Sequence, residues 1–351
     1  MSIKLYDLLR DKNLFDIFVT KQEYKERKDK YGRFLYAFSN NKDVLKPVVS
    51  EYLVENGFLK IEWPENHRFA ACLTHDIDSV YPTWKYTIFT TSKFALNLKP
   101  KESLRRLWSK IRKDDSQNPY WNFEKILKIE EEYGAKSSFY FKATSRDPVG
   151  WIYNVDTLKD ELSTITDMGG EVGLHGGYYS YNDPKELKNE KERLEKTLGK
   201  EVIGIRMHYL RFDVPYTWRL LSNLGFKYDT TFGYPDMPGF RNGMAHPFRP
   251  YDIEMKKEID ILEIPLIIMD VSIFKMPIEE AWVVTKKLIE TTEKNFGAIT
   301  ILWHNTTFDE IFWNKWAKFY EKILQFLKEK KAWITSGEEV YNYWVKMHNL
   351  K

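Results

Sequence analysis

Seven short apolar runs separated by longer amphipathic stretches restrict this chain to α/β architecture. The runs are Phe69–Thr74, Ser137–Phe141, Glu171–Leu174, Val202–Arg206, Ile261–Ile264, Ala298–Trp303 and Ala332–Ile334, each rich in apolar or β-branched residues. Four of the intervening stretches, Asn122–Tyr133, Asp156–Met168, Pro184–Leu198 and Pro277–Asn295, run into Gly134, Gly169, Gly199 and Gly297. Glycine readily takes the left-handed conformation that closes a helix, so these stretches are expected to be helices. Seven strands with helices between them predict a distorted, closed or nearly closed (β/α) barrel. Polar chemistry in such a barrel gathers at the C-terminal strand ends.

At 351 residues, 43% hydrophobic and 30% charged, the chain is long and apolar enough to bury a core without staples, which excludes disorder. The lone Cys72 excludes a disulfide scaffold. A net charge of +3 gives no global field that would demand nucleic acid as partner. Residues 1–21 lack an uninterrupted apolar core of an export signal, and the most apolar window, Ile261–Val271, is broken by Glu263, Pro265 and Asp270. No transmembrane segment is expected, and the expected location is cytoplasmic. Residues 1–66 read as a small accessory segment and 67–351 as the barrel, with a basic insertion at 79–120. Within it, Pro82 to Lys113 holds nine Lys or Arg against the single acid Glu102, and Leu104, Leu107, Trp108 and Ile111 share one helical face. Two readings stand for residues 102–113: a solvated helix capping the barrel, or a peripheral contact with an anionic membrane surface or phosphorylated glycan carrier.

Ligand-type residues recur where the apolar runs stop. The first run breaks into His75-Asp76-Ile77-Asp78, and period-two geometry puts both acids on one face. Two carboxylates that close resist joint ionisation unless a cation or a shared proton offsets them, which suits a metal ligand beside a base. His175 follows the third run, His208 the fourth and His304 the sixth, so three imidazoles are expected to converge on one barrel mouth with the acids. The stretch 240–251 combines cations, aromatics, Gly and Pro, which suits a rigid loop facing an acidic or hydroxyl-rich ligand and makes His246 and Arg249 candidate substrate contacts. Arg211 is a further candidate, for a carboxylate or phosphate or for pairing with Asp213.

Over roughly Phe69 to Tyr343 these motifs resemble, in order, those of the polysaccharide deacetylase family, the NodB-homology carbohydrate esterases. The resemblance implies that Asp76 is the catalytic base and Asp78 a metal ligand. His175 matches the first histidine of the family's His-x-x-x-His motif, while Tyr179 occupies the second histidine's position. Arg206-Met207-His208-Tyr209 is similar to Arg-x-Pro-Tyr, which implies that Arg206 orients the base and the Tyr209 backbone N–H serves the oxyanion hole. Leu302-Trp303-His304 matches the Leu-x-His motif and implies that His304 is the general acid. A catalytic zinc site usually has three protein ligands, and Asp78 with His175 supplies two. His208, gained at a neighbouring strand end, is the candidate third. The expected activity is hydrolysis of an acetyl group, N-acetyl over O-acetyl, on a nucleotide- or lipid-linked sugar precursor, with a divalent metal, Zn2+ first. The alternatives are hydrolysis of another C–N bond such as a cyclic amide, a glycan-binding barrel without turnover, and two-carboxylate glycosidase chemistry, which would leave the three histidines unexplained.

Overall fold

In a computed structural model of the chain, residues 10–24, 27–59, 61–96, 118–309 and 313–348 are described, together with 101, 104, 107, 108, 110 and 111. One sheet of nine parallel strands forms the centre: β1 (Phe69–Ile77), β2 (Ser138–Phe141), β3 (Glu171–Gly176), β4 (Gly204–Met207), β5 (Tyr228–Asp229), β6 (Leu262–Glu263), β7 (Leu266–Met269), β8 (Ala298–Leu302) and β9 (Ala332–Thr335). The hydrogen-bonded order is β6-β5-β4-β3-β2-β1-β8-β7, with β9 paired to β1. β6 and β7 end that order on opposite sides, yet only Ile264 and Pro265 separate them in the chain. The sheet therefore curls until its ends approach, giving a distorted (β/α) barrel. β9 and β2 share one edge of β1, β9 along Phe69–Cys72 and β2 along Thr74–Ile77, while β8 takes the other edge.

Around the sheet lie α1 (Lys12–Phe18), α2 (Val48–Glu55), α3 (Trp84–Leu96), α4 (Phe123–Glu132), α5 (Lys159–Asp167), α6 (Pro184–Leu198), α7 (Tyr216–Asn223), α8 (Ile278–Lys294), α9 (Asn314–Glu329) and α10 (Gly337–His348). Helix α6 has the clearest local determinants: the Asp183 carboxylate caps the N–H groups of Lys185 and Glu186, and Gly199 closes it at φ 79°. Gly297 behaves differently from the other three glycine stops. After α8 the left-handed position is Phe296, φ 53°, and Gly297 is needed because a Cβ there would sit 2.3 Å from the Ala245 carbonyl oxygen.

All nine residues of β1 are buried, and alternation sends them to two destinations. Thr74 and Asp76 face the barrel interior and meet Arg206. His75 faces the helical layer, where its Nε2 lies 2.8 Å from Glu130 of α4 and its ring packs edge-on to Tyr320 of α9. The interior below the site is filled by Tyr140 and Tyr228, whose hydroxyls lie 3.1 Å apart, with Tyr228 donating to the buried Glu171 carboxylate. Glycines make room for them: a Cβ on Gly173 would stand 2.5 Å from Tyr140, and one on Gly204 2.2 Å from Tyr228.

Two of the sheet strands, β5 and β7, were not anticipated, and the Ile261–Ile264 run contributes only Leu262–Glu263, so seven expected strands become nine. Residues 101, 104, 107, 108, 110 and 111 are helical, whereas Lys99, Glu102, Arg105, Arg106, Arg112 and Lys113 of the basic insertion lie outside the described residues. No helix among the described residues is long and apolar enough to cross a membrane. The N-terminal residues fold onto the barrel: the amides of Val49 and Ser50 donate to the Gly243 carbonyl, and Glu23 pairs with Arg241 in the interior. Because tyrosine rings occupy the space above the interior glycines, Gly204→Ala should cost about 1–3 kcal/mol by overpacking. Urea unfolding of the two proteins measures it.

Candidate active site

Every acid and imidazole expected at the mouth comes from a C-terminal strand end. Asp76 lies near the end of β1, and Asp78 follows one residue past it. Asp76 is buried, with Oδ1 3.0 Å from Nη1 of Arg206, which comes from the middle of β4. The Arg206 guanidinium also donates to Thr74 Oγ1 at 2.7 Å and to the Thr230 carbonyl at 3.0 Å, so it is fixed at three points and holds one oxygen of Asp76. Asp78 Oδ1 lies 3.3 Å from Nε2 of His175 and 3.3 Å from Nε2 of His208, while Asp78 Oδ2 lies 3.7 Å from Nε2 of His304. Ligand atoms of Asp78, His175 and His208 all fall within 4.8 Å of one another.

Each of these imidazoles is anchored through its other nitrogen. His175 Nδ1 lies 3.0 Å from the Arg206 carbonyl, His208 Nδ1 3.0 Å from Asp147 Oδ2, and His304 Nδ1 2.7 Å from Asp270 Oδ1. A carbonyl or carboxylate only accepts, so the Nδ1 proton belongs on His175 and His304, while His208 Nδ1 faces Asp147 as a charge contact out of hydrogen-bond alignment; every Nε2 is turned toward Asp78. Two neutral imidazoles presenting lone pairs to a carboxylate repel it unless protons or a cation lie between. Burial by itself would raise the Asp78 pKa, but with protons on the imidazoles instead, His208, His175 and His304 override that rise and hold it well below the usual carboxylate range. Burial would lower that of His304, and Asp270 with the site acids overrides it, pushing the imidazole up to about 10.

Two second-layer acids escaped the sequence reading. Asp147 sits in the loop after β2, its Oδ1 accepting from the backbone N–H groups of Val149 and Gly150 and its Oδ2 facing His208 and, at 3.3 Å, Lys142 Nζ. In sequence it is an ordinary turn residue before Pro148. Asp270 left a visible signal, an acid directly after the apolar run Leu266–Met269, and that signal was obscured when Pro265 split the window. Gly150 is closely packed against this support: a Cβ there would lie 2.7 Å from His208 Cε1 and 2.6 Å from Asp147 Oδ2.

Tyr179 points away. Its ring is exposed on the surface under the Arg146 guanidinium, 4.9 Å away, so the position matching the family's second histidine supplies nothing to the cluster. Tyr209 and Leu210, directly after His208, take left-handed backbone conformations at φ 62° and 53°. Such non-glycine residues cost roughly 1–2 kcal/mol each, a strain concentrated beside the relocated imidazole. The Tyr209 ring meets Tyr31 at 5.2 Å, so residues near the N-terminus border the mouth. Arg211 is held between the rings of Tyr178 and Tyr181 and donates to the Tyr178 carbonyl, and Asp213 pairs with Lys28 instead.

The stretch 240–251 does not face this mouth. His246 is fully buried against Ser50, and the adjacent Ala245 carbonyl accepts from Ala298 at the start of β8, the opposite end of the strands from the site. Burial pushes the His246 pKa down to about 3. Arg249 pairs with Asp260 beside Lys227, at the N-terminal edge of β5. The expected substrate contacts of His246 and Arg249 are therefore corrected. The mixture of cations, aromatics and Pro reflects a loop packed under the barrel, and composition does not distinguish the two ends.

No family model matches the chain, and no curated protein matches it. Solved structures do. A chain named as a polysaccharide deacetylase from Mycobacterium smegmatis superposes with a TM-score of 0.54 at 16% identity, over 83% of this chain and 94% of that one. The fold is that of the polysaccharide deacetylases. Another so named, from Pseudomonas aeruginosa PAO1, gives a TM-score of 0.52 at 15% identity over 92% of this chain and all of that one. Puue allantoinase gives 0.54 at 14% identity, again over 92% of this chain and 100% of its own. The polysaccharide-deacetylase fold thus spans most of this chain.

Because the Asp147 carboxylate stands 3.0 Å from Nδ1 of His208, Asp147→Asn should weaken divalent-metal affinity by about 10–100-fold, the usual cost of losing such a partner. His208→Ala should lose tight binding altogether, and Tyr179→Ala should leave it unchanged. Equilibrium dialysis against Zn2+ with metal analysis separates the three.

Proposed function

We propose that the chain is a metal-dependent hydrolase that removes acetyl groups, N-acetyl in preference to O-acetyl, from a sugar or glycan precursor. The observation that carries this reading is the convergence of three Nδ1-anchored imidazoles on Asp78, next to an Asp76 carboxylate held by Arg206. The donor set fits a divalent cation: one carboxylate and two imidazoles within 4.8 Å, and Asp78 Oδ1 buried with no hydrogen-bond donor. Asp78, His175 and His208 would hold it, and Zn2+ suits those donors best. Bound there, the cation supplies Lewis acidity that polarises an amide oxygen and acidifies water.

The remaining steps belong to the chain itself. Asp76, with Oδ1 engaged by Arg206, presents Oδ2 to accept the proton of the attacking water. The Tyr209 backbone N–H, presented by its left-handed conformation after β4, donates to the oxyanion that forms on the carbonyl oxygen. His304, protonated on both nitrogens, keeps its Nδ1 proton on Asp270 and gives its Nε2 proton to the departing nitrogen, an amine too basic to leave as an anion, and ends as the neutral imidazole. Residues 1–66 act as an accessory segment whose Tyr31, against Tyr209, offers an aromatic surface beside the reacting group.

Opening of a cyclic amide is the second reading, favoured by a likeness to Puue allantoinase as strong in TM-score as that to the Mycobacterium smegmatis chain. Acetate release from N-acetylated sugars, measured beside ring opening of allantoin by the same metal-loaded protein, separates the two. Asp76→Asn should slow acetate release by about 10²–10⁴-fold while leaving metal content unchanged, because Asp76 acts on the proton and not as a ligand. Asp76→Asn protein with parental turnover would contradict the assigned base.

A further inference from the structure

Helix α3 is built inside out. Among the side chains described along it, the buried ones are polar, Thr87 and Thr90 at 2% and 0% exposure, whereas Trp84, Ile88 and Phe89 on its other side are 52%, 57% and 59% exposed. An amphipathic helix of a globular protein normally turns its apolar stripe to the core. Of the described helical residues that follow, Leu104, Trp108 and Ile111 are each more than half exposed. The two stretches lie together: Lys110 donates to the Pro82 carbonyl at 2.6 Å and stands 5.8 Å from the Trp84 ring. Large contiguous exposed apolar surface marks a contact face. Over the same stretch, Pro82 to Lys113, the sequence places nine Lys or Arg against one acid.

We propose that Trp84, Ile88 and Phe89 of α3, together with Leu104, Trp108 and Ile111, form a docking face for an anionic lipid bilayer, lying in its interface without crossing it. The chemistry commits to that occupant. Tryptophan and other large apolar side chains partition into the headgroup boundary, and a surrounding excess of cations is attracted to anionic lipids. A protein groove for an apolar helix face would not by itself call for so one-sided a charge. The face also has a fixed relation to the site. α3 begins six residues after Asp78, and Tyr86 donates to Asp309, five residues after His304, so the face sits on the rim that carries the acids and imidazoles. A sugar attached to a lipid would therefore be presented at the mouth when the face is docked. The docking proposal does not depend on the hydrolase reading, since it is read by binding alone.

The test is co-sedimentation of the full chain with vesicles of phosphatidylcholine containing phosphatidylglycerol, and of phosphatidylcholine alone. The chain should sediment with the mixed vesicles, far less with the neutral ones, and progressively less as salt is raised. Ile88→Glu with Phe89→Glu should cut sedimentation at least about tenfold with an unchanged melting temperature, because both side chains are exposed. As a second variant, Lys85→Glu with Lys110→Glu should abolish the preference for anionic vesicles. No sedimentation with mixed vesicles would overturn the proposal, as would sedimentation indifferent to both variants. A vesicle-free dimer that Ile88→Glu with Phe89→Glu converts to monomer would overturn it too, assigning the face to a second copy of the chain.

Discussion

A carboxylate surrounded by imidazoles that all turn the same nitrogen toward it is the constraint on which this site depends. His175, His208 and His304 come from the ends of β3, β4 and β8, and each is tied through Nδ1 to an acceptor, a backbone carbonyl or a carboxylate. The tethers leave Nε2 as the only free nitrogen and aim it at Asp78. Strand order makes the meeting possible, since β4, β3, β2, β1 and β8 are consecutive neighbours in the curled sheet. Curvature carries side chains from strands that are not adjacent to one mouth. The interior tyrosines and the glycines opposite them fix that curvature from below.

An imidazole at the end of β4 makes demands on the rest of the chain. Tyr179 lies on the surface, while His208 at the end of β4 faces Asp78. An imidazole in that place needs a partner for its second nitrogen, and the loop after β2 supplies Asp147, itself pinned by two backbone amides and neighboured by Lys142. It also needs space, which Gly150 leaves beside the ring. Two left-handed residues follow at once in the chain, so the turn that presents His208 also sets the backbone of Tyr209. The imidazole of His208 and the backbone of Tyr209 are thus coupled within one short stretch, and a change in one is expected to disturb the other.

How much of this was legible from residues alone depended on whether the signal was local. Period two separates Asp76 and Asp78 from His75 within a single motif, and the structure places His75 against Glu130 and the two acids at the mouth. Histidines that terminate apolar runs were equally readable. Asp147 was not, because an aspartate before proline looks the same whether it caps a turn or steadies an imidazole. Strands β5 and β7 were hidden for different reasons: Tyr228–Asp229 is too short to show alternation, and Leu266–Met269 follows Pro265, which closes the preceding run at Ile264. His246 and Arg249 were misplaced because the end of the barrel a loop serves follows from topology, which pairs 245 with the start of β8.

Anomalous diffraction from crystals grown with Zn2+ tests the central claim most directly. A single strong peak should lie about 2.0–2.2 Å from an oxygen of Asp78 and from Nε2 of both His175 and His208, with Asp147 still against Nδ1 of the latter. A peak that leaves His208 unbound, or density showing the three Nε2 atoms closed upon Asp78 with no ion among them, would contradict the account.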